Sequence, residues 1–191
     1  MLFLKYYLIQ NLKTTLWHIL IQVFSLILGP LVLAIILTKP WGTAVMSYVL
    51  TPLYAGFIYS YAWNVAKKDI KSYSVHKPYV CKGLMLSIST VLFTAIILLL
   101  WLTAFGLEPQ SQTQVFLQFA KKAVFYGWTF TFNGFRAGAN SNVNPLFWWL
   151  SFGLCPVSAF LGYLAGMYRL NITDRFIYPL VYQKSNPKKK D

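Results

Sequence analysis

GLMLSISTVLFTAIILLLWLTAFGL, residues 83–107, runs for 25 positions without a charge. As a helix rising about 1.5 Å per residue it would cross a hydrocarbon core of ~30 Å with length to spare. Lys82 bounds the run on one side and Glu108 on the other. Three further stretches resemble it, at 14–38, 43–66 and 145–168. The reading that follows is an all-α membrane protein, a four-span transmembrane helical bundle forming a single integral domain over residues 1–191.

Composition agrees with that class. Of the 191 residues, 57% are hydrophobic and 11% are charged, whereas soluble domains are about 25% charged. The mean hydropathy is +0.53. The formal charge is +13, from 17 Lys and Arg against 4 acids. In a soluble chain such an excess would suggest nucleic acid, but no nucleic-acid-binding motif is present. The bases flank apolar runs, where anionic lipid headgroups are the nearer partner. Cys81 and Cys155 have neither metal-ligand nor C-x-x-C spacing, and the expected topology sets them at different depths, so they read as free thiols.

In chain order, MLFLKYYLIQNLKTTLW lacks the short apolar core and small-residue cleavage site of a signal peptide. It reads as an interfacial helix or an extension of the first span. Gly29-Pro30 is expected to kink that span, because proline removes a backbone donor. TKPWG (38–42) is a tight turn, and Pro52 is expected to bend the second span. The loop 67–82 carries five lysines, at 67, 68, 71, 77 and 82. Pro156 is a kink candidate in the fourth span, and 169–191 is a basic tail.

Residues 108–144 form the expected outer segment. Phe125, Trp128, Phe132 and Phe135 fit a helical stripe, while Trp128, Phe130 and Phe132 alternate with threonines in the manner of a strand. A full span is disfavoured, since Lys121 and Lys122 near its middle would each cost roughly 2.5–3.5 kcal/mol. The preferred form is an interfacial or partly re-entrant helix between spans 3 and 4.

Charge sets the expected topology. With both termini inside, the cytoplasmic segments hold 13 Lys and Arg and the outer segments four, as the positive-inside rule requires. Trp17 and Trp63 then fall at inner ends and Trp41, Trp101, Trp148 and Trp149 at outer ends, forming aromatic belts. The expected location is the plasma membrane.

Each span carries a stripe of small or polar residues: His18, Gln22, Ser25 and Gly29; Ser47, Thr51 and Tyr54; Gly83, Ser87, Thr90 and Thr94; Ser158, Gly162 and Gly166. Such stripes let helices approach closely and bond across the seam, so Ser158, Gly162 and Gly166 are the expected packing seam. His18 and Gln22 are an expected intramembrane polar pair. The acids Asp69, Glu108, Asp174 and Asp191 all fall outside the spans, and Asn171-Ile172-Thr173, a glycosylation acceptor pattern, falls on the inner side.

No catalytic motif, phosphate loop or metal-ligand cluster is visible; no catalytic, cofactor or metal residues are assigned, and no cofactor is expected. The best polar constellation is Trp128, Asn133, Arg136 and Asn140, with Asn142 and Asn144, where a guanidinium, amides and rings could contact a headgroup or small anion. The expected function is non-enzymatic: a small subunit or assembly partner of a larger membrane complex, binding lipids and a membrane-protein partner or a second copy, with no nucleic acid. The alternatives are a solute-binding or transport component using the outer segment, and a lipid-modifying accessory protein.

Overall fold

The computed structural model describes residues 2–36, 42–71, 74, 77–103, 111–136 and 144–170, with side chains described from Lys5 to Leu28 in the first helix and from Ala44 in the second. Residues 38–41 of the expected TKPWG turn, the start of the outer segment, Asn140, Asn142 and the tail from residue 171 with its glycosylation pattern lie outside them. So do the side chains of the Gly29-Pro30 kink. Among the described residues the structure is all helical, with no strand. The elements are α1 (Leu2–Ile36), α2 (Gly42–Asp69), α3 (Lys82–Met85), α4 (Ile88–Leu102), α5 (Gln112–Trp128), a 3₁₀ helix (Phe130–Phe135) and α6 (Pro145–Met167).

Two helices are long and apolar enough to cross a membrane by length and composition: the Lys5–Leu28 part of α1, and α6. The N-terminal residues are continuous with the rest of α1 in one helix. α2 is long enough, but Tyr, Ser, Thr and a charged last turn dilute its apolar character. The uncharged run 83–107 is not one helix. It is divided into α3 and the 15-residue α4 by a turn at Leu86 and Ser87. Ser87 donates both its N–H and its hydroxyl to the Leu84 carbonyl, at 3.1 and 2.8 Å. A three-residue bond thus replaces the four-residue helical one. Asn11 of α1 then accepts the Ser89 N–H at 3.2 Å, capping the restart from a neighbouring helix.

The most extensive pairing is α2 with α6. Tyr54, Ile58, Ala62 and Ala66 step by four along α2 and are buried. Facing them is the Ser158, Gly162 and Gly166 ridge of α6, also buried. A methyl group on Gly166 would lie 2.7 Å from both Ala66 Cβ and the Trp63 carbonyl, and one on Gly162 would strike the Tyr59 backbone. The glycines permit backbone contact that no larger residue would allow. Gly83 plays the same part between α3 and α6, against Ala159 and Phe160.

α5 begins at Ser111, whose hydroxyl accepts the Gln114 N–H at 3.3 Å. It then runs antiparallel to α4: Lys121 reaches Thr103, Phe125 stacks on Trp101 at 4.6 Å, and the Trp128 indole reaches Thr94. Beyond Trp128 the 3₁₀ helix turns the chain back, so that Arg136 again lies beside Trp101, 5.6 Å from its ring. Helix, turn and return make a hairpin whose tip, residues 128–131, enters the bundle among α1, α2 and α4. The alternating strand reading of 128–132 is replaced by this 3₁₀ turn, because its backbone groups find partners on the surrounding helices and not on another strand. α6 starts cleanly, with Asn144 accepting the Leu146 N–H at 3.0 Å and Pro145 in the first turn, where its missing donor costs nothing.

Candidate functional site

Among the described residues, two polar clusters join several elements in the interior. The first surrounds the hairpin tip. A helix terminus leaves backbone groups without intrahelical partners, and in an apolar interior each must be met by protein. The stripe on α1 meets them. His18, 1% exposed, is 3.2 Å from the Trp128 carbonyl through Nε2 and 2.7 Å from the Tyr54 hydroxyl through Nδ1. A ring nitrogen facing a carbonyl must carry a proton, so in a neutral His18 Nε2 is the donor and Nδ1 accepts from Tyr54.

One turn further along α1, Gln22 Oε1 accepts both the Thr131 N–H at 2.9 Å and the Thr131 hydroxyl at 2.8 Å. Ser25 lies 3.2 Å from the same hydroxyl. From α2, Ser47 accepts the Gly134 N–H at 2.8 Å. From α4, Thr94 accepts the Trp128 indole N–H at 2.9 Å. His18 and Gln22 are thus not bonded to each other; each holds a different part of the hairpin.

The residues singled out in the outer segment are placed as follows. Trp128 is at the tip, tilted against His18 with ring centroids 4.3 Å apart. Asn133 points back along its own chain, accepting from Thr129 and donating to the Tyr126 carbonyl. Arg136 lies over the rings of Tyr126 and Trp101, at 4.7 and 5.6 Å. Asn144 is the α6 cap, and Asn140 lies outside the described residues. Trp128 and Arg136 therefore sit at different levels of the hairpin and do not converge on one open surface.

The second cluster is one the sequence reading did not anticipate. Lys82 Nζ and Asp69 Oδ2 are 2.7 Å apart, with side chains 0% and 2% exposed. Tyr6 donates to Asp69 Oδ1 at 2.9 Å and Tyr163 to Oδ2 at 2.8 Å. The Lys82 ammonium also lies 5.0, 5.5 and 6.0 Å from the rings of Tyr6, Tyr7 and Tyr163. Four elements, α1, α2, α3 and α6, therefore meet on one ion pair. Asp69 ends α2 and Lys82 starts α3, so the pair closes the intervening loop. Read linearly, both residues belong to a solvated, lysine-rich segment. Asp69 was expected only to fall outside the spans, and its burial is decided by the tertiary structure. Only the tyrosines on distant helices, 63 and 94 residues away, identify its environment, and their spacing carries no sequence signal.

Among the described residues no group of three or more His, Cys, Asp or Glu could hold a metal. Cys155 is buried and Cys81 exposed, both as free thiols. The chain matches no protein-family model, no curated protein and no solved structure.

Proposed function

We propose that this chain is a non-enzymatic, multi-pass membrane protein that serves as a subunit or assembly partner of a larger complex in the plasma membrane. In this reading α1, α2, the α3–α4 unit and α6 are four spans, with both termini cytoplasmic. Residues 82–102 together reach about 30 Å if nearly helical throughout, so the turn at Leu86 does not prevent a crossing. The α5 hairpin is then re-entrant from the outer side, its backbone satisfied by protein as irregular structure at membrane depth must be.

The observation that carries the subunit reading is the outward face of α2. Gly56, Ser60 and Asn64 step by four along it and are exposed, and nothing lies within 4 Å of where a Gly56 side chain would begin. Lipid-facing helices have no use for a small and polar ridge, whereas a neighbouring transmembrane helix packs on one. The inward polar residues support the same reading, because they hold the hairpin and do not line an open path.

The test is Gly56→Leu. The space over Gly56 is open, so the chain should keep its thermal stability in detergent. Its native-gel mobility at native expression level should shift from a large complex to the free chain. Wild-type chain migrating alone, or a Gly56→Leu complex of unchanged size, would overturn the proposal.

A further inference from the structure

At the end of the molecule where α2 and α6 both terminate lies a cleft of about 680 Å³, with Trp63, Lys67, Lys68 and Lys71 on one wall and Arg169 on the other. Trp63 and Lys67 lie one turn apart on α2, and Lys71 follows just beyond its end. Arg169 arrives from 98 residues further along the chain than Lys71. The glycine contact brings it there: Gly166 sits against Trp63 and Ala66, and the Trp63 indole donates to the Leu170 carbonyl at 3.3 Å. Lys67 Nζ stands 3.7 Å over the Trp63 ring. Among the described residues no carboxylate lines the cleft, and the nearby acid Asp69 is committed to Lys82.

The bland account of these bases is that cations complement the negative ends of two helices. It covers Lys67 and Lys68, in the last turn of α2. It does not explain why Lys71, beyond that helix, and Arg169 close on the same space, nor the backbone of Arg169. α6 ends with the Leu170 N–H bonded to the Ala165 carbonyl and the Arg169 N–H to that of Gly166. That arrangement requires a left-handed residue, usually glycine, and Arg169 fills it at φ 54°. A strained non-glycine residue is a pointer to function: here the fold accepts strain to direct a guanidinium into the cleft.

We infer that this cleft is a binding site for a phosphate-bearing anion, with Arg169 and the lysines as its charge partners and Trp63 as its floor. The size suits a headgroup or a small phosphate compound, and a guanidinium matches phosphate geometry. The cleft shares Asn64 with the α2 face of the subunit proposal, but its bases are not part of that argument; the proposed orientation enters only in assigning it to the cytoplasmic leaflet.

The experiment uses the full chain, wild type, Arg169→Gly and Lys67→Gln/Lys68→Gln. One arm follows phosphatidylglycerol against phosphatidylcholine retention by native mass spectrometry in detergent. The other titrates pyrophosphate onto protein in phosphatidylcholine nanodiscs and follows thermal stability. A lipid source predicts selective phosphatidylglycerol retention that both variants weaken by roughly tenfold or more. A soluble source predicts pyrophosphate stabilisation that both variants lose. In either case Arg169→Gly should melt at or above the wild-type temperature, since glycine relieves the left-handed strain. Equal behaviour of wild type and both variants in both arms, including no binding by any, overturns the site.

Discussion

Lys82 and Asp69 are two charges removed from water, and their mutual attraction offsets part of that cost. Asp69 has Tyr6 and Tyr163 as further donors, and three rings surround the ammonium. Removing one partner strands the other. Asp69→Ala should lower stability in detergent by about 3–5 kcal/mol, read as a fall in unfolding temperature. Asp69→Leu/Lys82→Met removes both charges and should recover most of the loss. A double variant no better than the single one would show that the cluster is not held by charge compensation. At this scale the sequence showed the polar stripes of single helices, such as His18, Gln22 and Ser25, and was silent on the partner that each residue meets on another element.

At the scale of elements, two kinds of glycine distinguish packing inside the chain from packing outside it. Gly162 and Gly166 are pressed against α2, whereas Gly56 faces open space. Gly162→Ala already brings a methyl group against the Tyr59 backbone, which side-chain rotation cannot relieve. It should cost about 1–3 kcal/mol, and Gly162→Leu and Gly166→Leu should cost more, measured by thermal unfolding in detergent. Unchanged stability of both Leu variants would mean that α2 and α6 do not approach as closely as described. The G-x-x-x-G spacing was legible in the sequence; which helix it meets was not. The hairpin shows the same division. Lys121 and Lys122 ruled against a full span on electrostatic grounds, and the aromatic stripe indicated a helix. The return at Trp128 depends on His18, Gln22 and Ser47 meeting its backbone.

For the whole molecule, the bias of basic residues orients the proposed spans, and burial of Lys82 removes one base from the inner count without reversing it. In a Cys81→Ser/Cys155→Ser background, Ser111→Cys should react with a membrane-impermeant thiol reagent applied to intact cells, and Ser74→Cys only after permeabilisation. Labelling of position 74 in intact cells would reverse the topology.

The sequence by itself determined the helical class, the approximate boundaries of α2 and α6, and the polar and glycine stripes. These follow from hydropathy and helical periodicity, which act over a few neighbouring residues. Tertiary structure decided that 83–107 is divided, that α5 folds back into the bundle, and that Asp69 and Lys82 leave water together. It also brought Arg169 to the lysines of α2. The first three depend on polar or charged groups finding partners on a separate helix, up to 110 residues away, and the last follows from the glycine contact of α6 with α2. The drive to satisfy such groups is strong in an apolar interior, but the identity of the partner is set by how the helices pack.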